Sequence, residues 1–535
     1  MHRARAIHRA TLIVFLLAVV PVLGASRGSA QTVDALPAAP PLVISAGPPA
    51  CDPIDPALAP LPSGGFVAAW SDGGVFLRRF DPHGAATGPL VSLRGGSGGP
   101  IQWRPAVSVG SEGHVAVVWV EPQAGLLRAT VLDGALLTTG GPPFGFEAFE
   151  LAVEIDFRTL PEVEAGPEGS FFAVWQEPDG LGFARFDREG LDLWRLLVSG
   201  SSDCRLREPS LAPDPLEGGT ILAWIEECSD PPARQMVRAR RLDISGRPSG
   251  SLIELSGEEP FAGLANPDLA VDDRGRLAVV WIRTSGAGSE LRLDRRDPQG
   301  VSLPGGGQID LGEVGDLATP KAVSDATGNL AVVWSRVVGT AERRQVFLRR
   351  LFADGTAAGD TVAVGPPSEP FERSADGPQI VLSGPGTGHV VWWEPLSFPP
   401  ILPPACSSSA GVFGRRVSLG GERALLLHDG RFRVAVEWQI GPTGPSGRGH
   451  AIPGSEESGR FWFFDPANVE LDTKVLDGRE INGHFWFFSG ALTNVGYRIT
   501  VTDQIRDRTR RYDNPPGRLS SLADTQAFQA LDELE

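Results

Sequence analysis

"GNLAVVW", residues 328–334, decides the fold of this chain because it does not stand alone. Six further segments set Gly six residues before Trp: "GGFVAAW" at 64–70, "GHVAVVW" at 113–119, "GSFFAVW" at 169–175, "GGTILAW" at 218–224, "GRLAVVW" at 275–281 and "GTGHVVW" at 386–392. Their tryptophans, Trp70, Trp119, Trp175, Trp224, Trp281, Trp334 and Trp392, stand 49, 56, 49, 57, 53 and 58 residues apart. Repetition thus claims seven of the 13 tryptophans, so the period has to be read before any local structure.

Around each Trp the order of elements is constant. A short apolar run with turn residues comes first, then the Trp strand, then a strand such as "VFLRRFDPHG" (75–84), "LGFARFDREG" (181–190) or "VFLRRLFADG" (346–355). A further short strand such as "GPLVSL" (88–93) follows most copies. Four short strands per unit, in seven units, predict an all-β chain built as a seven-bladed β-propeller. The Trp strands are apolar on both faces because each blade lies between two others, which removes the usual alternation. "PPLVISAGPP" at 40–49 matches "GPLVSLRGG" at 88–96 and precedes the first Trp repeat, so residues 41–47 are expected to close the last blade.

The N-terminal stretch carries Arg3, Arg5 and Arg9 before an apolar run from Thr11 to Ala25, with Gly28 and Ala30 after it. That pattern predicts a secretory signal peptide over 1–30, a linker over 31–40 and a secreted mature chain, periplasmic or extracellular, with no transmembrane anchor. Losing the four arginines of 1–30 takes the formal charge from −17 to −21. Such a balance excludes a nucleic-acid binder, which needs a basic footprint.

Four cysteines are present. Cys204 and Cys228 lie symmetrically about the turn "DPLEGG" (214–219) and should face each other across one hairpin. Cys51 follows the closing strand and Cys406 lies in the loop after Trp392, so a second bridge is expected between them. An oxidising compartment permits both.

The pairing of "GNLAVVW" with "RRFDxxG" resembles uncharacterised repeats of secreted and surface bacterial propellers and, more distantly, the sialidase-like propellers, over about 41–420. The first resemblance implies fold and export. The second would imply an enzyme, but the Asp-box of that group, S-x-D-x-G-x-x-W, sets Trp three residues after Gly. Its usual Tyr nucleophile also has no counterpart, because Tyr497 and Tyr512 are the only tyrosines and both lie beyond the repeats.

Charged residues recur too. Arg79, Arg185, Arg241, Arg295, Arg350 and Arg415 stand five residues before a strand-ending Gly, and Asp72, Glu121, Glu177, Glu226 and Glu394 two residues after Trp. Either they ring a ligand, or they pair across neighbouring strands, and the near-symmetry favours pairing. "GGSGG" around Ser97 lacks the strand-to-helix turn of a nucleophile elbow. His114 and His389 enter equivalent strands with no metal-ligand spacing beside them. No cofactor, metal or catalytic set is therefore expected, although carboxylates from different blades could meet at the ring's central mouth.

After the repeats, 421–517 predicts a small β-sandwich, with 518–535 as a polar tail. "RFRVAVEWQI" (431–440) alternates with Phe432, Val434, Val436, Trp438 and Ile440 on one face, and "VELDTKV" and "VGYRITVTD" alternate likewise. The segments "GRFRVAVEW", "GRFWFFDPANVELDTKVLDG", "NGHFWFFSGALTNVGYRITVTD" and "RYDNPPGRL" resemble a domain of unknown function that recurs near the C-termini of exported bacterial proteins. Two strands break the alternation with "FWFF", at 461–464 and 485–488, placing rings on both faces. One set is core. The other, Trp462, Phe464, Trp486 and Phe488, needs a partner, since large exposed apolar patches mark contacts. Three partners compete: the propeller or the domain's own loops and tail, an extracellular glycan stacked on the rings, or another protein. The expected function is that of an exported non-catalytic binding or structural module. The alternative is a propeller hydrolase or lyase acting on extracellular polysaccharide.

Overall fold

The computed structural model describes residues 42–529 except 46–53, 94–101, 140–147, 156–159, 304–308, 340–342, 366–373, 395–410, 419–423, 465–467 and gaps of one or two residues. Cys51, Cys406 and Ser97 lie outside the described residues.

Each Gly-to-Trp segment is the second strand of an antiparallel sheet, because a run of β-branched and small apolar residues suits a strand covered on both faces. Among the described residues seven such sheets follow one another along the chain, six of four strands and one of five. All seven repeat tryptophans are buried. The first strands of the sheets are Ile54–Pro60, Trp103–Val109, Glu162–Ala165, Cys204–Pro213, Gly263–Val271, Leu317–Ser324 and Asp376–Gly384. Each touches the first strand of the next sheet, and the last touches the first, so the sheets close a ring as blades 1 to 7. The seventh blade takes its outermost strand from Leu42–Val43, which pairs with Phe413 and Gly414. The chain is an all-β, seven-bladed propeller followed by a small β-sandwich.

One local device repeats at the ring's centre. Pro56, Pro105, Pro161, Pro267, Pro320 and Pro378 stand fourteen residues before the blade's Trp, and Pro209 fifteen. The residue before the proline has positive φ in six blades: Asp55, Arg104, Glu208, Asn266, Thr319 and Gly377. Each of those strands carries a bulge there. Proline has no N–H to donate to the ladder, so a bulge is where a strand tolerates it. The residue after the proline then pairs with the residue just before Trp in every blade. Seven equivalent positions result: Ala57, Ala106, Glu162, Ser210, Asp268, Lys321 and Gln379.

Cys204 and Cys228 are direct cross-strand partners in blade 4 and form a disulfide, as the hairpin symmetry predicts.

Two further sheets follow. One orders Ala424–Leu427, Phe432–Gln439, Gly496–Asp503 and Arg508–Asn514, with Ser446–Arg448 at its side. The other orders His450–Ser455, Ser458–Trp462, Leu471–Gly478, His484–Ala491 and Ser521–Gln529. They share a single core in which Phe432, Val434, Val436, Ile499 and Val501 meet Phe461, Leu471, Val475, Phe485 and Phe487. The expected polar tail is corrected here: 521–529 is an edge strand paired with His484–Ala491, held because Ala527 and Phe528 are buried in that core. Trp438 and Ile440 depart from the core face as well, since their strand runs past it: Trp438 is half-buried and Ile440 exposed.

Candidate functional site

Charged side chains from different blades meet at the centre of the propeller. Lys321 of blade 6 donates Nζ to Asp268 Oδ1 of blade 5 at 2.6 Å and, across the ring, to Glu162 Oε1 of blade 3 at 3.0 Å. The second oxygens face backbone: Glu162 Oε2 accepts Leu211 N at 2.7 Å, and Asp268 Oδ2 accepts Ala322 N at 2.7 Å. Ser210 Oγ accepts Leu269 N at 3.1 Å. Glu162, Ser210 and Asp268 thus each cap an N–H of the next blade, which ties blades 3 to 6 together.

Burial alone would lower the pKa of Lys321, but Asp268 and Glu162 outweigh it and raise it, so the ammonium is retained. Glu164, two residues further along the same strand, accepts Ser108 Oγ at 3.4 Å. Burial, then the Glu162 charge, pushes its carboxyl up to about 8, so it is protonated at neutral pH. The cluster therefore sets one ammonium and one protonated acid beside Glu162 and Asp268. Sequence reading missed these residues, and the proline fourteen or fifteen residues before each repeat Trp is the signal that locates the ring positions.

The recurrent charges serve the scaffold. Glu121, Glu177 and Glu394 accept the indole N–H of their own Trp at 3.2, 2.7 and 3.0 Å. Glu226 pairs instead with Arg238, and among the described residues neither Trp224 Nε1 nor Trp334 Nε1, the latter followed by Arg336 at that position, has a partner. Arg241 pairs with buried Asp214 and also donates to the Gly275 and Pro298 carbonyls of the next blade. Arg295 donates to the Ala353 carbonyl of the next blade, and Arg185 and Arg79 to Ser170 and Ser63. The arginines therefore link turns, often by carbonyls, where the sequence suggested carboxylates across neighbouring strands. His389 is buried, with Nδ1 2.9 Å from Ser383 Oγ and its ring 4.7 Å from Phe66 of blade 1. Burial lowers its pKa to about 4, so it stays neutral.

In the sandwich, Phe461, Phe463, Phe485 and Phe487 are core, and the four outward rings differ among themselves. Trp462 stacks on His450, centroids 3.9 Å apart, and His450 in turn lies 4.9 Å from Phe352 in a turn of blade 6. Phe464 is 48% exposed and stands edge-on to Trp438 at 4.7 Å. Trp486 lies over Gly478, where a Cβ would come within 2.2 Å of the indole, and donates Nε1 to Asn482 Oδ1 at 2.8 Å. Phe488, edge-on to Trp486 at 6.4 Å, borders a hollow of about 340 Å³ with Ser458, Arg460, Asp472, Lys474 and Ser489. Arg460, Asp472 and Lys474 are exposed and have no ion-pair partner among the described residues.

No helix among the described residues is long and apolar enough to cross a membrane. The Cys204–Cys228 disulfide fits an oxidising compartment.

No protein-family model and no curated protein matches the chain. Among solved structures it is similar to a polysaccharide lyase named as an ulvan lyase, at 9% identity over 71% of this chain and 96% of that one, with a TM-score of 0.47. It is also similar to a protein of unknown function from Dyadobacter fermentans, at 10% identity over 71% and 97% of the two chains, with a TM-score of 0.41. A third similarity is to an α-L-arabinanase of Penicillium chrysogenum complexed with arabinobiose, at 14% identity over 59% and 93% of the two chains, with a TM-score of 0.38.

Proposed function

We propose that this protein is an exported, non-catalytic binding module, with the outer face of the second sandwich sheet as its contact surface and the propeller as a rigid carrier. The observation that carries the reading is the hollow beside Phe488, where an aromatic ring lies among Arg460, Asp472 and Lys474, none of which has an ion-pair partner among the described residues. An accessible ring edged by hydrogen-bonding groups of both charges suits an extracellular glycan or a polar protein surface. Trp462 serves another end: through His450 and Phe352 it is where we infer that the sandwich rests on the propeller. Export is supported by the Arg-flanked apolar N-terminal run and by the disulfide. The central carboxylates favour a scaffold role, since Glu162 and Asp268 each bond both a backbone N–H and Lys321.

The test is a broad glycan and polysaccharide array probed with the disulfide-intact mature protein beside a Trp486→Ala, Phe488→Ala variant shown by circular dichroism to be folded. Binding reduced at least about fivefold in the variant is expected, since stacking on one aromatic is worth about 1 kcal/mol or more. Undiminished binding by the variant would move the site elsewhere, and no binding by either would remove the glycan.

One observation favours a second reading, a hydrolase acting on extracellular polysaccharide. Glu164, protonated at neutral pH, stands two residues from Glu162 on one strand at the ring's centre, and a protonated carboxyl close to a second carboxyl is what general acid–base hydrolysis requires. Turnover of a polysaccharide that Glu164→Gln abolishes would establish it and end the non-catalytic reading.

A further inference from the structure

We propose a second, separate binding site, for a neutral saccharide, at the end of the sandwich in the hollow between Trp438 and the turn Asn514-Pro515-Pro516. This hollow is about 650 Å³ and is lined by Trp438, Gln439, Tyr497, the Arg498–Asp513 pair and the two prolines. It exists because the strand Phe432–Gln439 overruns the core. Its first half is buried at every second residue, whereas Glu437 and Gln439 are exposed and Trp438 is half-buried.

The indole of Trp438 is held in one orientation. It lies over Gly447, where a Cβ would come within 2.6 Å of the ring, and its Nε1 donates to the Arg448 carbonyl at 3.2 Å. The polar edge of the ring is therefore satisfied; Phe463 lies nearly parallel to it at 6.3 Å and Phe464 edge-on at 4.7 Å, and its remaining apolar surface lines the hollow.

The second observation is Tyr497. It is 7% exposed and lines the hollow, yet its hydroxyl has no hydrogen-bond partner among the described residues. The chain's other tyrosine, Tyr512, donates its hydroxyl to Asp524 Oδ2 at 2.8 Å. The ring is buried, but the hydroxyl keeps contact with solvent in the hollow, where a ligand hydroxyl can take the place of water. Burial raises the pKa of Tyr497, so it stays a neutral donor.

Charge selects the class of ligand. Arg498 Nε and Asp513 Oδ1 are 2.6 Å apart and neutralise each other, and Glu437 and Arg448 contribute one charge of each sign. The hollow therefore has no net charge to attract an anion or a cation. An apolar ring face opposed by hydroxyl and amide groups fits a pyranose, its C–H face on Trp438 and its hydroxyls on Tyr497 Oη and Gln439.

The experiment titrates the full mature protein with cello-, xylo- and laminari-oligosaccharides, followed by calorimetry and tryptophan fluorescence. Tyr497→Phe keeps the ring and its packing and removes one hydroxyl. It is expected to weaken saturable binding about 3–10-fold, the worth of one neutral hydrogen bond, with unchanged Tm. The Trp486→Ala, Phe488→Ala variant should bind these sugars as the wild type does, which separates this site from the face beside Phe488. Absence of saturable binding to any of the three series, equal affinity of Tyr497→Phe and wild type, or loss of binding in the Trp486/Phe488 variant would each overturn the proposal.

Discussion

Glu164 carries a proton that its position in the ring imposes. Its folded pKa of about 8 exceeds the ordinary 4.5, so between those values the native state binds more protons than the unfolded one. The burial penalty is absent below the lower value, grows as pH rises through the window and is complete above the upper one. Glu164→Gln removes it, and is expected to raise stability at pH 9 by on the order of 2–4 kcal/mol while leaving stability at pH 4 unchanged. Thermal denaturation at both pH values checks this, and an equal shift at the two would refute it. The neighbouring charges were barely legible beforehand. Carboxylates are abundant in the sequence, and nothing in the spacing of Glu162 and Lys321 says that they meet across a ring. Lys321 is one of only two lysines in the chain, a rarity that marks the position without naming its partners.

Strands were legible where their periodicity was strong. The Gly-to-Trp segments, the alternation of Phe432 to Val436 and the doubled rings of "FWFF" all follow directly from residue type. The strand Ser521–Gln529 did not, because its buried residues, Ala527 and Phe528, are adjacent and its pairing shifts register between Phe485 and Phe487, which erases the alternation. The prolines before the bulges went unread for a related reason: proline is normally a sign against an inner strand, and only its sevenfold offset from Trp shows otherwise. Glycine carries a further constraint within these sheets. A Cβ at Gly182 would come within 2.2 Å of the Trp175 indole, so Gly182→Ala is expected to cost about 1–3 kcal/mol by overpacking. Gly257→Ala, with open space around it, should be near neutral. Urea titration of the two variants distinguishes them, and equal midpoints would show that the indole can move aside.

At the scale of the molecule, stability depends on joining positions far apart in sequence. Ser45 Oγ accepts Val412 N at 3.1 Å across 367 residues, and Ile44 N donates to the Val412 carbonyl at 2.9 Å with its side chain fully buried. A chain beginning at residue 54 should lose about 2–5 kcal/mol, the range for removing one large buried aliphatic side chain, whereas one beginning at residue 41 should keep its Tm. Equal melting of the two would mean that the seam is held elsewhere. The closing strand could be read from the match between 40–49 and 88–96, whereas the contact of His450 with Phe352 has no counterpart in sequence. The seven positions behind the prolines have one more consequence. They are identical seats in which the backbone is fixed and only the occupant varies: two alanines, a serine, a glutamine, two acids and a lysine. The lumen can thus be rewritten one seat at a time with the architecture unchanged. Because Ala57 and Ala106 sit side by side between Gln379 and Glu162, the ring is lopsided, crowded with charge on one arc and carrying only methyl groups on the other.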